Sequence, residues 1–224
     1  FVLDEAVGEY FMWAAADDVW DKSWIELLLP ISINKQCIAF GFVSTIDSKG
    51  NQIFHSANNR KFSYTGSVLY RRFKYFCEPP FLGKANPIYG LFPRAKVLDQ
   101  DYFVLQKFNQ GSDVLFLFNL LKKTEIEGGS YVFLKKRIHD HCSSISPLSA
   151  EKLAFSTKIV TFFSGLVRMN LINLRDFGKL SSFNEKIIQS LITPLILTIE
   201  IFYLSYLQLK KLWQSEISST NYKS

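Results

Sequence analysis

An uninterrupted apolar run, Tyr10-Phe11-Met12-Trp13-Ala14-Ala15-Ala16, leads straight into two adjacent carboxylates, Asp17 and Asp18. Such a run predicts a buried strand over 10–16 that delivers acids at its C-terminal end, where open α/β sheets build their sites. Two neighbouring carboxylates repel each other, so the pair is costly unless a cation lies between them. A hard divalent ion, Mg²⁺ or Mn²⁺, held together with a diphosphate suits such oxygens. A second reading competes. Asp21-Lys22-Ser23-Trp24-Ile25-Glu26-Leu27-Leu28 reads as a helix start, and Asp18 or Asp21 would cap it and favour its dipole. Capping explains one acid and leaves the pair unexplained. Spacing alone does not choose between them.

The remaining composition narrows the class. With 224 residues, 48% of them hydrophobic, the chain has material for one good-sized core plus appendages, which excludes wholesale disorder. A net charge of +6 is too dilute for a nucleic-acid binder, so no nucleic-acid partner is expected. It suits phosphate-bearing ligands or an anionic membrane surface. Cys37, Cys77 and Cys142 have neither zinc spacing nor a disulfide pattern, and no signal peptide opens the sequence; a cytoplasmic setting is expected.

Along the chain, Gly8 caps the end of a helix, and a helix over 22–29 is stopped by Pro30. Ile38–Ile46 is a strand, Asp47–Asn51 a turn, and Gln52–Phe54 a short return. A helix is expected over 66–76. The basic residues around it, Arg60, Lys61, Arg71, Arg72 and Lys74, make a solvated face or contact a phosphate. Asn86–Arg94 reads as a strand ending at Pro93, with Gly90 allowing close backbone approach to a ligand. Ala95–Leu98 begins a short helix. Ser112 or Asp113 opens an apolar helix, where an acid is ordinarily a cap. Tyr131–Leu134 is a strand after Gly128-Gly129, followed by Arg137, His139 and His141 in a basic stretch. Two histidines two residues apart share a strand face, but no second cluster completes a zinc site.

These pieces in this order resemble glycosyltransferase family 2. Gly8-Glu9-Tyr10-Phe11-Met12-Trp13-Ala14-Ala15-Ala16-Asp17-Asp18-Val19-Trp20 is similar to that family's diphosphate-sugar segment, with Ala15 where the first acid of a D-x-D motif often stands. Ile46-Asp47-Ser48-Lys49-Gly50 resembles its I-D-x-x-G turn. Tyr89-Gly90-Leu91-Phe92 resembles its acceptor-side strand, and Arg137 and His139 match a stretch that closes over the active site. The resemblance covers roughly residues 1–146. It implies an α/β fold: a partial GT-A, Rossmann-like mixed sheet with flanking helices, lacking the first, nucleotide-cradling strands, then a C-terminal helical segment. It implies an inverting, metal-dependent hexosyltransferase-like enzyme of cell-envelope polysaccharide biosynthesis. Its donor would be a nucleotide-diphosphate sugar and its acceptor a glycan or lipid-linked glycan. Asp17 and Asp18 would hold Mg²⁺ or Mn²⁺ and Asp113 would be the general base. Tyr89, Gly90, Arg137 and His139 would bind substrate. A Q-x-x-R-W pattern is absent, which favours transfer of single sugars.

The C-terminal third differs in character. Leu153–Ile172 has a helical pattern, and Ile187–Leu207 is strongly apolar apart from Glu200. Ile188, Leu191, Ile192, Leu195, Ile199, Phe202, Tyr203 and Tyr206 share one face; Gln189, Ser190, Thr193, Glu200 and Gln208 lie on or near the other. Because Glu200 and Pro194 would sit inside a bilayer, a membrane-surface or domain-packing helix is expected over a span. The organisation is thus 1–146 as the catalytic part, 147–214 as a helical region touching a membrane's inner face through 187–213, and a polar, frayed tail over 215–224. Two other functions stay open: a non-catalytic relic serving as a membrane-surface or interaction module, and a metal hydrolase using the acid pair with the histidines.

Overall fold

The computed structural model describes residues 5–98, 111–138, 167, 170–172 and 174–220, the side chains of 98 and 207–220 excepted. The chain forms two compact units, Phe1–Ile145 and Ser146–Ser224.

The first unit is of the α/β class. Its three-stranded sheet has the order β2 (Val19–Trp20), β5 (Ile126–Arg137), β3 (Ile38–Ile46). β3 runs parallel to β5 and β2 antiparallel to it, so the sheet is mixed. β1 (Tyr10–Phe11) and β4 (Phe92–Pro93) form a second, antiparallel pair. Ala39 and Leu91 exchange both backbone hydrogen bonds, at 3.1 and 2.8 Å, which ties this pair to β3. β3 is apolar or β-branched nearly throughout and buried on both faces, as a strand covered by helices must be. The core around it holds Trp24, Leu28, Phe40, Phe62, Phe92, Phe116 and Phe118.

The helices are α1 (Trp24–Lys35), α2 (Val68–Cys77), α3 (Arg94–Leu98) and α4 (Ser112–Leu120). α1 does not stop at Pro30. Trp24, Leu28 and Ser32 make a buried stripe spaced by four, and Pro30 lies on the exposed side. The carbonyl that the missing N–H leaves bare therefore faces solvent, and the helix continues to Gln36, which closes it at φ 49°. The expected strand over 10–16 is also corrected. Only Tyr10 and Phe11 pair, and the acids follow an irregular stretch and a turn. Asn86–Tyr89 is a 3₁₀ turn rather than strand, because Pro87 cannot donate to a ladder. β5 begins five residues before Tyr131. Phe40 stands opposite Gly128 and Phe42 opposite Phe133, so the intervening β5 residues bulge from the ladder, with Gly129 at φ 98°.

The basic stretch around α2 is neither a solvated face nor a phosphate cradle at its centre. Arg71 and Arg72 are buried, at 8% and 1% exposure. Arg71 donates from Nε to the Leu121 carbonyl at 2.7 Å and Arg72 from Nη1 to that of Phe118 at 2.6 Å. They satisfy carbonyls at the C-terminal end of α4, where helices leave them bare and where positive charge is favoured. Buried Lys84 does the same for α2, reaching the Tyr75 and Phe76 carbonyls at 3.3 and 3.4 Å.

In the second unit, residues 170–172 and 174–179 are helical, and α5 spans Phe183–Thr220. The tail expected to fray from Ser215 stays helical to Thr220, since extending an existing helix fixes only one residue per hydrogen bond.

Candidate functional site

The acidic turn is pinned from both sides by tryptophan. Trp13 packs edge-on against Phe11, Phe92 and Phe116 at 4.5, 5.3 and 5.5 Å between centroids. Phe116 belongs to α4, so Trp13 holds the stretch before the acids against the helix that carries Asp113. Trp20 packs against Trp24 at 5.2 Å and Tyr89 at 6.0 Å. The Val19 and Trp20 pairing with Lys135 and Leu134 lays the chain after the acids along the end of β5.

That pairing places Asp18 beside Arg137. The Arg137 N–H donates to Asp18 Oδ1 at 2.8 Å. The Arg137 side chain donates from Nε to the Asp17 carbonyl at 3.0 Å and from Nη1 to the carbonyls of Asp47 and Ser48 at 3.0 and 3.1 Å. Arg137, expected to bind substrate, thus staples the acidic turn to the Asp47 turn. Asp47 in turn accepts from the N–H groups of Lys49 and Asn51 and from the Asn51 amide. These hydrogen bonds, those from Asn51 foremost, hold its carboxyl below the usual range.

Asp18 is not the helix cap. Asp21 organises the start of α1: its Oδ1 accepts from the Ser23 N–H at 3.1 Å and the Ser23 hydroxyl at 2.8 Å, and its carbonyl accepts from the Trp24 N–H. Asp18, half-buried, makes its one hydrogen bond among the described residues at Oδ1, leaving Oδ2 without a donor. Burial, and more weakly the charge of Asp17, raises its pKa against the lowering effects of the Arg137 N–H, Lys136 and Arg137. This is the electrostatic state of a carboxylate that gains from a cation.

Asp113 lies in the first turn of α4, half-buried, with Oδ1 accepting from the Val114 N–H at 2.8 Å. The helix is opened by Gly111 at φ 68°, with no side-chain cap. Tyr89 joins Asp113 to the acid pair. Burial raises the Tyr89 pKa, and so do the charges of Asp18, Asp113 and Asp17 in that order. The three carboxylates expected to act together, drawn from two distant parts of the sequence, thus each bear on the charge state of one phenol, and the tryptophans flanking the acid pair pack on Tyr89 and on the helix of Asp113. Gly90 has a structural role: a Cβ there would lie 2.8 Å from the Ala39 carbonyl and 3.0 Å from Ile38, so glycine lets this turn sit against β3. His139 lies outside the described residues.

Lys136 and His55 belong to the same neighbourhood and carried no expected role. Lys136 Nζ reaches Asn86 Oδ1 at 3.4 Å and stands 5.6 Å from the centre of the Tyr89 ring. Its sequence signal is its strand position: two residues after buried Leu134, it falls on the inward face of β5, where a lysine needs partners. His55 is half-buried and accepts the Ala57 N–H at Nδ1 at 3.1 Å. Burial first, then Lys136, lowers its pKa below the ordinary 6.5. The unfolded chain therefore binds this proton more readily. Stability from His55 is complete above the ordinary imidazole value and is lost as pH falls through the lowered one. Urea midpoints taken across that window should fall more steeply with acid in the wild type than in His55→Gln. Parallel curves would show that His55 keeps its solution pKa.

Among the described residues no group of three or more His, Cys, Asp and Glu side chains gathers to hold a metal ion. The acid pair does suit an ion shared with a ligand. Mg²⁺ takes one or two protein carboxylates and fills its remaining positions from phosphate and water. No protein-family model, curated protein or solved structure matches the chain.

Proposed function

We propose that this chain is part of an inverting glycosyltransferase of the GT-A, family 2 type, moving a sugar from a nucleotide-diphosphate donor to a glycan or lipid-linked acceptor at the cytoplasmic face of a membrane. The observation that carries the reading is the packing of Trp13 and Trp20, on either side of Asp17 and Asp18, against the helix of Asp113 and against Tyr89; the charges of all three acids act on the Tyr89 phenol. An inverting transfer needs a cation site for the departing diphosphate and a separate base for the incoming hydroxyl, and these acids divide that way. Asp18 Oδ2 and the Asp17 carboxylate would hold Mg²⁺ or Mn²⁺. Held by these carboxylates, such an ion would supply positive charge against the leaving nucleotide.

Asp113 stands apart from this pair on its own helix. Its Oδ1 is held by the Val114 N–H, so Oδ2 is the atom that takes the acceptor proton as the hydroxyl attacks the anomeric carbon. Attack opposite the leaving diphosphate inverts that carbon. Tyr89 and Lys136 line the same place. The lysine offers positive charge beside the acids, and the phenol, kept protonated by burial and three carboxylates, is a hydrogen-bond donor at neutral pH. Arg137 positions the turn on which the acid pair sits.

The reading is tested by titrating the full chain with Mn²⁺, followed by electron paramagnetic resonance, with and without a panel of nucleoside diphosphates. Binding should tighten with one diphosphate and weaken by at least about tenfold in Asp18→Asn, the loss typical even of residues that merely support a metal ligand. Mn²⁺ binding that ignores both Asp17→Asn and Asp18→Asn would move the chain to the non-catalytic alternative.

A further inference from the structure

In the second unit, which buries Phe177 and Ile196, polar groups of the long helix are buried as well, and a row of its apolar groups is turned outward. On α5, Gln189, Thr193 and Glu200 are buried, Glu200 completely, while Ile187, Leu191, Leu195, Ile199, Phe202 and Tyr206 stand 46–75% exposed. The outward residues are spaced by four, four, four, three and four, which makes one continuous stripe. Glu200, the sole charge between Lys186 and Lys210, does not face outward; its Oε2 accepts from the Asn170 amide at 2.6 Å, and Asn170 is itself buried.

Water-soluble folds put these two sets the other way round. We infer that residues 183–206 cross a lipid bilayer, with the outward stripe in contact with acyl chains and the Glu200–Asn170 pair enclosed within the second unit. This inference is independent of the transferase reading, and it replaces the expected surface contact through 187–213 by a span.

Three further observations choose lipid over another protein as the occupant. First, length: Phe183–Tyr206 is 24 residues, a rise of about 36 Å, enough to cross a hydrocarbon core of about 30 Å with some tilt. Second, hydroxyls: the exposed Ser190 and Thr198 donate to the carbonyls of Lys186 and Pro194, each four residues back, at 2.9 Å. Their donors are closed onto the helix itself, as hydrocarbon surroundings demand and as a wet or partner-bound face does not. Third, charge: the stretch between Lys186 and Lys210, charged only at the enclosed Glu200, is flanked by Lys179, Glu185 and Lys186 before it and Lys210 and Lys211 after it, with Trp213 beyond, and lysines and an aromatic at a span's ends are what anionic headgroups favour.

The two features that argued against a span are accommodated. Glu200 is hydrogen-bonded to Asn170 away from the outer face, the arrangement in which ionisable residues occur inside membranes. Pro194 is on the outer face, and the helix runs through it unbroken.

The test reconstitutes the full chain into vesicles of phosphatidylcholine with a minor share of phosphatidylglycerol. Tryptophan is placed one position at a time by Ile187→Trp, Leu195→Trp and Tyr206→Trp. Quenching by nitroxide lipids is read against the wild-type background, with the nitroxide near the headgroup or near the chain end. A span gives strongest quenching of Leu195→Trp by the deep nitroxide and of the other two by the shallow one. It also leaves the wild-type chain in the pellet after alkaline carbonate, with release only in detergent. Shallow quenching at all three positions would mean a helix lying in the interface and would overturn the span. So would release by carbonate, or a monodisperse dimer in buffer without detergent, which would make a second copy the occupant.

Discussion

Asp113→Asn is expected to cut sugar transfer by roughly 10²–10⁴-fold, the range that a positioned general base contributes, while Mn²⁺-dependent donor binding stays at the wild-type level. The substitution is nearly isosteric. The asparagine Oδ1 can still accept from the Val114 N–H, so the first turn of α4 keeps its geometry. What is lost is the ability to take a proton at Oδ2, the atom that in the proposed reaction serves the acceptor and not the donor. The effect should therefore appear in turnover with acceptor present and vanish from the donor-binding isotherm. Removing a negative charge from beside Tyr89 also lets that phenol titrate closer to its ordinary value, a shift readable in its ultraviolet absorbance as pH rises. A variant turning over near the wild-type rate would end the base assignment. A variant that lost donor binding along with turnover would place Asp113 with the metal site.

The second large effect is on stability. Arg72→Met should destabilise the first unit by about 3 kcal/mol. The methionine keeps much of the side-chain stem but leaves the Phe118 carbonyl at the end of α4 without its 2.6 Å donor; an orphaned buried acceptor costs about 1–3 kcal/mol. The guanidinium also lies 3.7 Å from the centre of the Phe118 ring, a contact worth about 1–2 kcal/mol when desolvated. For a unit of this size the change lowers Tm by about 10 °C. Lys74→Met, on the exposed side of the same helix, should stay within about 0.5 kcal/mol. An unchanged Arg72→Met midpoint would mean that the desolvation of the guanidinium offsets both contacts.

The sequence was most legible where a pattern is local and uniform. β3 announces itself by nine residues that are apolar or β-branched except for Ser44, and its limits at Ile38 and Ile46 follow from the Gln36 cap and the Asp47 turn. It was least legible where a residue's partner is far away. Pro30 looks like a stop until Trp24, Leu28 and Ser32 are seen to put it on the solvent side. Arg71 and Arg72 read as a solvated face or a phosphate contact because nothing nearby in sequence shows that a helix end brings carbonyls to them. Gly90 reads as a place for a ligand, and only the nearness of Ala39 shows that the neighbour is the chain itself. At the site, adjacency made the Asp17–Asp18 pair visible. Separating the cap from the candidate ligand needed Asp21 seen on Ser23 and Asp18 seen on Arg137. Lys136 and His55 went unnoticed because a strand lysine and a lone histidine have many ordinary explanations.

The staple made by Arg137 has a consequence for the order in which the molecule is built. Its hydrogen bonds join positions separated by 119 and 120 residues to the acidic turn, and by 90 and 89 residues to the Asp47 turn. Contacts of such span carry the largest loop-closure penalty and form slowly, whereas α1 and the Asp47 turn can form from neighbours alone. The acid pair thus acquires its geometry only once β5 has docked. A chain that has folded its first half already has both carboxylates but not yet a site.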